Sequence, residues 1–372
     1  MIYADNAATT RVSDTVLEKM LPFLQEQFGN ASSQYSLGVK AKRAVEQSRQ
    51  QVAAAIGAEP SEILFTSGGS ESNSWVISSV KKGHVITSSI EHHSVLNSCH
   101  SLERKGIDVT YLPVDSKGRV PLNSITEAIR SDTKLVSIML ANNEIGTIQP
   151  IAEISEYLQK RGILFHTDAV QAVGHIPVIV KKLGVDFLTA SSHKFNGAKG
   201  TGIVYKRNGA PLPPLIFGGD QEHGVRAGTE NIAGIVAAGY ALTESVTDMV
   251  PMAEKLSALV RTTIFGIRAK IPNVVINGDE NNRLPGMVNI VFDGVRGESL
   301  MHLLDLNGIC VSTSSACSSG KDEPSHVLTA LGLTKRQAKS AIRISYGRYN
   351  NLDEAETIVA TICNAYNKIT SK

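Results

Sequence analysis

Short apolar runs rich in β-branched residues alternate with helix-compatible runs through the first 250 or so residues, and this alternation restricts the fold more than any other feature. The strand-like runs are EILFTSGG, HVITSSI, KLVSIML, ILFHTDA, VDFLTASS and GIVYKR; three of the intervening runs are SESNSWVISSVKK, SVLNSCHSLERKG and IAEISEYLQKRG. The pattern predicts an α/β fold with a mostly parallel sheet covered by helices. Functional sites in such sheets lie beyond the C-terminal ends of the strands.

The pattern changes near residue 250. VPMAEKLSALVRTTIFGIRAKI is typical of a long amphipathic helix, and after it come NVVING, MVNIVFDG, a helix from Glu298, GICVST, a helix from Pro324, AIRISYG and a final helix. A chain of 372 residues is longer than one hydrophobic core usually serves. We therefore expect a large domain at 13–250 and a smaller α+β domain at 251–372. Residues 1–12 are expected to belong to the smaller domain.

The charge balance narrows the range of partners. Lys and Arg number 37 against 35 Asp and Glu, a net charge of +2, which argues against direct binding to nucleic acid or to a membrane surface. The N-terminal sequence MIYADNAATTRVSD lacks the features of a signal peptide, and no apolar stretch is long enough to span a bilayer. We expect a cytoplasmic protein whose thiols stay reduced.

The cysteines are Cys99, Cys310, Cys317 and Cys363, and their spacing contains no C-x-x-C pair and no zinc-ligand pattern. Three of them lie in helix-like or strand-like runs, where we expect buried, inert thiols. Cys317 is different, because it lies in VSTSSACSSGKDEP, where serines and glycine favour an exposed and flexible loop. Such a flexible segment would also allow the Cys317 thiol to move over some distance.

The segment TSGGSESN leaves a strand, turns on Gly68 and Gly69 and enters a helix at Ser70. Glycines allow backbone N–H groups to approach an anion, and a helix N-terminus adds partial positive charge. The Ser70 hydroxyl can donate to the same anion, although a serine-capped turn explains the segment equally well. It matches neither the P-loop nor the Rossmann pattern, which disfavours ATP and NAD.

Three more polar segments follow predicted strands: IEHHSV with His92 and His93, FHTDAVQ with His166, Asp168 and Gln171, and TASSHKFNGAKGTG with His193 and Lys194. Each has an ordinary explanation as a surface histidine, a helix cap or a solvated lysine. An H-x-D pair can also hold a metal, so a metal-dependent hydrolase that uses His92, His166 and Asp168 stays open. Taken together, an anion cradle, a carboxylate, an imidazole and a lysine on neighbouring strand ends are what pyridoxal phosphate requires.

The chain resembles the NifS/IscS-type cysteine desulfurases, pyridoxal-phosphate enzymes of the aspartate-aminotransferase fold (fold type I). The likeness runs nearly end to end through YADNAATT, TSGGSESN, EHHSV, NNEIGTIQP, HTDAVQ, SSHKFNGAKGTG, RAGTEN, SSACSSGKDEPSHVL and IRISYGR. The resemblance implies that Lys194 holds pyridoxal 5′-phosphate as a Schiff base and that Asp168 pairs with the pyridine nitrogen. It also implies that Gln171 donates to the phenolic oxygen and that His92 stacks on the ring and moves protons at the substrate thiol.

The resemblance assigns the cofactor phosphate to Gly69, Ser70, Ser191 and His193. Ser70 stands where the family usually has threonine, and it keeps the hydroxyl. Thr229 of RAGTEN would reach the phosphate in a partner subunit, so that a homodimer shares its active sites. Asn143, beside the cofactor, and Arg343 would hold the substrate carboxylate, and the planar fork of an arginine suits that role.

The implied reaction removes sulfur from L-cysteine, releases L-alanine and leaves a persulfide on Cys317. Lys194, once freed from the cofactor, would remove the Cα proton, and the Cys317 thiolate would attack the substrate sulfur as in thiol–disulfide exchange. The sulfur would then pass to an acceptor protein, such as an iron–sulfur scaffold or a tRNA-thiolation protein. The alternatives are a selenocysteine lyase, a transaminase, which has no use for Cys317, and a non-catalytic subunit that binds partners.

Overall fold

The computed structural model describes residues 1–313 and 323–371. The strands in this part are β1 Ile2–Tyr3, β2 Ile63–Thr66, β3 His84–Ser88, β4 Asp108–Leu112, β5 Thr133–Ser137, β6 Leu164–Asp168, β7 Phe187–Ser191, β8 Gly202–Lys206, β9 Val275–Asn277, β10 Met287–Val291, β11 Ile309–Cys310, β12 Ser312–Thr313 and β13 Ala341–Ser345. The helices are α1 Asp14–Met20, α2 Pro22–Gln25, α3 Ser36–Ile56, α4 Gly69–Ser78, α5 His93–Glu103, α6 Leu122–Ala128, α7 Ile151–Gln159, α8 Val180–Leu183, α9 Ile232–Thr247, α10 Met249–Arg268, α11 Gly297–Asp305, α12 His326–Ala330, α13 Lys335–Lys339 and α14 Leu352–Thr370.

Among the described strands, seven form the large sheet in the order β2-β8-β7-β6-β5-β3-β4. The pairs from β7 through β4 are parallel, whereas β8 runs antiparallel to both β7 and β2. The central strands β3 and β7 are buried along their whole length, and β6 at all residues but Leu164, because helices cover both faces of the sheet. The expected α/β fold with a mostly parallel sheet is confirmed.

A second sheet and a second core lie toward the C-terminal part of the chain. The antiparallel sheet has the order β12-β13-β10-β9, and β1 pairs with β11 beside it. Its core draws on residues between Leu256 and Ala365 and on Ala4 from the N-terminal segment. A smaller apolar cluster joins the two parts, since Ile90 and Met139, which follow β3 and β5, pack with Val327 and Leu328 of α12.

The structure corrects one predicted boundary. The helix expected from Pro324 begins at His326, because the Ser325 side chain accepts a hydrogen bond from the Leu328 N–H and so caps the helix two residues later. None of the helices in the described ranges is long and apolar enough to cross a membrane.

Candidate active site

Polar side chains that follow the parallel strands meet in one cavity of about 370 Å³. Strands β3, β5, β6 and β7 point the same way, so the residues after them emerge at one edge of the sheet. The N-terminal segment and β13 close the other side. The cavity brings together most of the residues that the sequence singled out: Gly69, Ser70, His92, Asn143, Asp168, Gln171, Ser191, His193, Lys194 and Arg343.

The turn between β2 and α4 lines this cavity with Gly69 and Ser70. Gly68 has a φ of 157° and directly precedes α4. A Cβ at Gly202 on the neighbouring β8 would lie 2.6 Å from the Gly68 backbone, and one at Gly69 would lie 2.9 Å from Val170 Cγ2. Close packing therefore requires glycine at these positions. With the Ser70 hydroxyl, the start of α4 forms a cradle suited to a phosphate.

Lys194 ends a 3₁₀ turn, Ser192–Lys194, that follows β7. Its Nζ donates to the carbonyl oxygens of Ala7 at 2.6 Å and Ala8 at 2.8 Å. Gln171 Nε2 donates to the same Ala7 carbonyl at 2.9 Å. The segment that contains Ala7 and Ala8 is thus a wall of the site, a role that the sequence reasoning missed although YADNAATT was among its motifs.

Asp168 ends β6 and lies at the cavity wall, where it is 4% exposed. Oδ1 accepts from the Val170 N–H at 2.9 Å, and Oδ2 accepts from Asn73 Nδ2 at 2.6 Å. A hydrogen bond to each oxygen fixes the plane of the carboxylate group. Asn73, on α4, was not singled out from the sequence although it ends the quoted TSGGSESN.

His92 is the N-cap of α5. Its Nδ1 accepts from the Ser94 N–H at 3.1 Å, so the neutral ring carries its proton on Nε2. Burial lowers the pKa of His92 from its usual 6.5; Lys194 and His93 act in the same direction and Asp168 opposes them. The imidazole is therefore neutral at physiological pH, which suits a group that stacks on a ring and exchanges protons.

Ser191, the last residue of β7, and His193, in the 3₁₀ turn after it, both line the cavity. His193 Nδ1 is 3.0 Å from Thr9 Oγ1. Burial lowers the pKa of His193 to about 4, and the charges of Lys194 and Lys199 add to the effect. A neutral His193 can donate one hydrogen bond to an anion but adds no charge to the site.

Arg343 on β13 supplies the guanidinium of the cavity, and its side chain is 7% exposed. Nη1 donates to the Asn143 carbonyl at 2.7 Å, and Nη2 donates to Asp5 Oδ1 at 2.7 Å. Nε is buried and has no partner within the described chain. Two fixed donors and one open donor hold the group ready for a carboxylate. Asp5 is a further cavity residue that the sequence reasoning missed.

Glu144 is another missed residue, and it carries a buried carboxyl at the cavity wall. The Ser325 hydroxyl, which caps α12, donates to Glu144 Oε2 at 2.6 Å. Burial raises the pKa of Glu144 to about 7, against the opposing effects of Ser325 and Arg343. The hydrogen bond ties the start of α12 to the cavity.

Two predicted site residues are not in the cavity as described. Thr229 is exposed and does not line it. Cys317 and its serine-rich neighbours lie outside the described residues. The roles expected for both residues stay predictions.

The alternative of a metal-dependent hydrolase finds no support in the described residues. His166 is fully buried behind Asp168, with Nδ1 2.8 Å from Ser137 Oγ and Nε2 3.3 Å from Thr189 Oγ1. Burial lowers the pKa of His166 to about 3. Within residues 1–313 and 323–371, no three side chains of the metal-binding types are grouped.

The remaining cysteines largely match expectation. Cys99 and Cys363 are buried, and burial raises the pKa of both thiols, that of Cys99 to about 12. Thiols of this kind are weak nucleophiles at neutral pH. Cys310 lies in the separate two-stranded β1–β11 sheet and is only partly buried, which differs from the expectation of a buried thiol.

Comparisons with known proteins agree with this site. The aminotransferase class-V family model matches residues 2–358. The cysteine desulfurase IscS of Clostridium botulinum (strain Hall) is 48% identical over 369 residues, which cover 97% of this chain and 93% of that protein. A solved structure described as a NifS-like protein superposes with a TM-score of 0.92 at 40% identity and covers 98% of both chains. SspA in complex with cysteine superposes with a TM-score of 0.83 at 37% identity, covering 94% of this chain and all of that one. The chain belongs to the aminotransferase class-V family and, within it, to the pyridoxal-phosphate-dependent cysteine desulfurases of the IscS/NifS type.

Proposed function

We propose that this enzyme removes sulfur from L-cysteine, releases L-alanine and carries the sulfur as a persulfide on Cys317. The observation that carries the proposal is the single cavity in which Lys194, Asp168, Arg343 and the start of α4 meet. These are an amine, a carboxylate, a carboxylate-binding group and an anion cradle, and together they fit a phosphorylated aldehyde cofactor and an amino acid.

The cavity residues fit pyridoxal phosphate in chemistry. The start of α4 with Ser70, Ser191 and His193 would take the phosphate, and Asp168 would face the ring nitrogen. His92 would cover the ring, and Gln171 would donate to the phenolic oxygen. When bound, the cofactor supplies an electron sink for bonds to the Cα and Cβ of an attached amino acid.

Lys194 has two tasks in this proposal. Its amine anchors the cofactor, and once released it takes the proton from the substrate Cα. The carbonyls of Ala7 and Ala8, at 2.6 and 2.8 Å from Nζ, accept hydrogen bonds from the released ammonium group. The first residues of the chain thereby help to hold a proton that later returns to the product.

Arg343 selects the substrate by its carboxylate. Its open Nε and its two fixed nitrogens offer the planar fork that a carboxylate accepts with two bonds. Asn143 lies beside it at the cavity wall. The similarity to a chain solved with cysteine bound supports L-cysteine as the amino acid.

Cys317 receives the sulfur. Its thiolate attacks the sulfur of the bound cysteine, a sulfur–sulfur bond forms, and the carbon–sulfur bond breaks with its electron pair going to carbon, where a proton completes alanine. His92, neutral and protonated on Nε2, can pass a proton at the substrate sulfur. The sulfur then moves to an acceptor protein, such as an iron–sulfur scaffold or a tRNA-thiolation protein, in the cytoplasm.

The working unit in this proposal is a homodimer. Thr229 is exposed and outside the cavity of its own chain, which suits a residue that completes the site of a partner. Large apolar side chains are exposed on nearby segments of the chain, among them Ile216 and Phe217. We further propose that the two cores correspond to two domains, with a boundary near 250 and residues 1–12 joined to the second.

The test compares wild type with Cys317→Ala, Lys194→Ala and the matched thiol control Cys310→Ala. Each protein is loaded with pyridoxal phosphate and given L-cysteine, and alanine and sulfide are measured. We expect turnover to be lost in Cys317→Ala with cofactor retained, and kept in Cys310→Ala. Sulfide release by Cys317→Ala at the wild-type rate would refute the role of Cys317. Transfer of the amino group in place of alanine formation would favour a transaminase.

A further inference from the structure

Asn73 is linked by hydrogen bonds to both groups that the proposed function places against the cofactor ring, directly to Asp168 and through Ser94 to His92. One N–H of its amide donates to Asp168 Oδ2 at 2.6 Å, and Nδ2 also lies 2.9 Å from Ser94 Oγ. Ser94 Oγ, in turn, lies 2.8 Å from His92 Nδ1. A single buried amide, 1% exposed, thus contacts Asp168 directly and His92 through one hydroxyl.

A hydrogen bond from Thr189 fixes the orientation of the Asn73 amide group. Asn73 Oδ1 accepts from the Thr189 hydroxyl at 2.5 Å. If the amide were turned over, its oxygen would face the Asp168 carboxylate and its NH₂ group would face the Thr189 hydroxyl. Both of its N–H groups are therefore committed, one to Asp168 and one to Ser94.

The chain of bonds behind Asn73 has one direction. Since the Thr189 hydrogen goes to Asn73, Thr189 Oγ1 must accept from His166 Nε2, which lies at 3.3 Å. His166 Nδ1 must then accept from Ser137 Oγ, at 2.8 Å. Every donor in the series points toward Asp168, so each bond polarises the next and the series stabilises negative charge on that carboxylate. His166 is neutral, so the series adds dipoles and no competing charge.

We propose that Asn73 is a positioning residue that fixes Asp168 for the ring nitrogen and His92 for the ring face at the same time. The inference rests on the proposed function, because it concerns how the cofactor is held. Two of the hydrogen-bond partners of Asn73 have separate parts in this inference. The bond from Thr189 supports Asp168, and the bond to Ser94 supports His92.

The test measures the dissociation constant for pyridoxal phosphate and the visible absorbance of the bound cofactor against pH. Asn73→Ala is compared with Asn97→Ala, a matched asparagine that is exposed on α5 and outside this network. We expect Asn73→Ala to weaken cofactor binding about tenfold or more, because Asp168 loses a charge-assisted bond. The visible absorbance reports the proton on the Schiff-base nitrogen between Lys194 and the cofactor. Its pH midpoint should rise by about half a unit or more, because a less firmly protonated ring nitrogen withdraws less charge from the Schiff base.

Two further variants test the Thr189 and Ser94 bonds separately, and they keep the inference testable if Asn73→Ala does not fold. Thr189→Val should shift the absorbance midpoint in the same direction as Asn73→Ala. Ser94→Ala should weaken cofactor binding about threefold or more while leaving the midpoint at the wild-type value. The proposal is overturned if Asn73→Ala matches Asn97→Ala in both readouts, or if Thr189→Val and Ser94→Ala both match wild type. If wild type binds no pyridoxal phosphate, the proposed function fails and this inference fails with it.

Discussion

Replacing Glu222 with alanine should destabilise the protein far more than its position in a surface connection suggests. The Glu222 carboxylate binds Arg49 with two hydrogen bonds, at 2.8 and 3.0 Å, and also accepts from the Phe65 N–H at 2.9 Å. Both charged side chains are nearly inaccessible, at 4% and 3%. The pair ties the segment before Thr229 to α3 and β2, and it holds Glu222 at a φ of 47°.

The magnitude follows from what the substitution leaves behind. The Arg49 charge would stay buried without its partner, which costs about 3–5 kcal/mol. Alanine keeps the left-handed backbone strain, so no relief offsets the loss. We expect the free energy of unfolding to fall by about that amount, measured by urea denaturation. Trp75 is the one tryptophan in the sequence and is buried, so its fluorescence reports the transition.

Two controls make the reasoning refutable. Glu156→Ala removes an exposed ion pair with Lys160 and should leave the urea midpoint close to the wild-type value, because solvent screens such a pair. The double variant Arg49→Met with Glu222→Met removes both charges and leaves two neutral backbone groups without their partners, the Phe65 N–H and the Ile63 carbonyl. Unpaired neutral groups cost about 1–3 kcal/mol each at most, and a carbonyl less than an N–H, so the double variant should be no less stable than Glu222→Ala. A loss below about 1 kcal/mol in Glu222→Ala, or a double variant that is less stable still, would contradict this account.

Three other perturbations test separate parts of the site. Gly202→Ala places a Cβ 2.6 Å from the Gly68 backbone, so the turn before α4 must move. Cofactor affinity should then fall about tenfold, measured by titration with pyridoxal phosphate. Unchanged affinity would show that this turn can move without loss of binding. Burial raises the pKa of Glu91 to about 8 despite hydrogen bonds from Ser88 and Met139, so the neutral acid favours the folded state and its contribution is lost as pH rises from about 4.5 through 8. Glu91→Gln should therefore flatten the pH dependence of the free energy of unfolding between pH 5 and 8, and equal slopes for variant and wild type would refute the assignment. Arg343→Lys keeps the charge but loses the planar fork, so KM for L-cysteine should rise about tenfold with kcat changed less, whereas an unchanged KM would remove Arg343 from substrate binding.

The sequence was sufficient for the residues that follow parallel strands. Asp168 and Lys194 meet in one cavity because β6 and β7 are parallel neighbours, and strand alternation with polar strand ends is readable from the sequence. The antiparallel direction of β8 was also readable in principle. Only residues 192–201 connect it to β7, too few for the helical crossover that a parallel strand needs.

Residues that act from a distance in the chain were not readable. Asp5, Ala7 and Ala8 enter the site because β1 pairs with β11 and Asp5 bridges to Ser345, and no local pattern encodes those pairings. Asn73 lies between two serines on α4, and its role depends on what β6, β7 and α5 place around it. Glu144 has its partner, Ser325, 181 residues away.

The contact between Asp5 and Arg343 has a consequence for synthesis. The two residues are 338 positions apart, and translation adds about 5–20 residues per second, so Asp5 leaves the ribosome roughly 17–70 s before its partner. For most of that time the carbonyls that hold Lys194 lack β11, and until its end they also lack β13, to position them. The nascent chain can fold much of its large sheet, but it cannot assemble a complete site. Cysteine chemistry is thus postponed until almost the whole chain has been made.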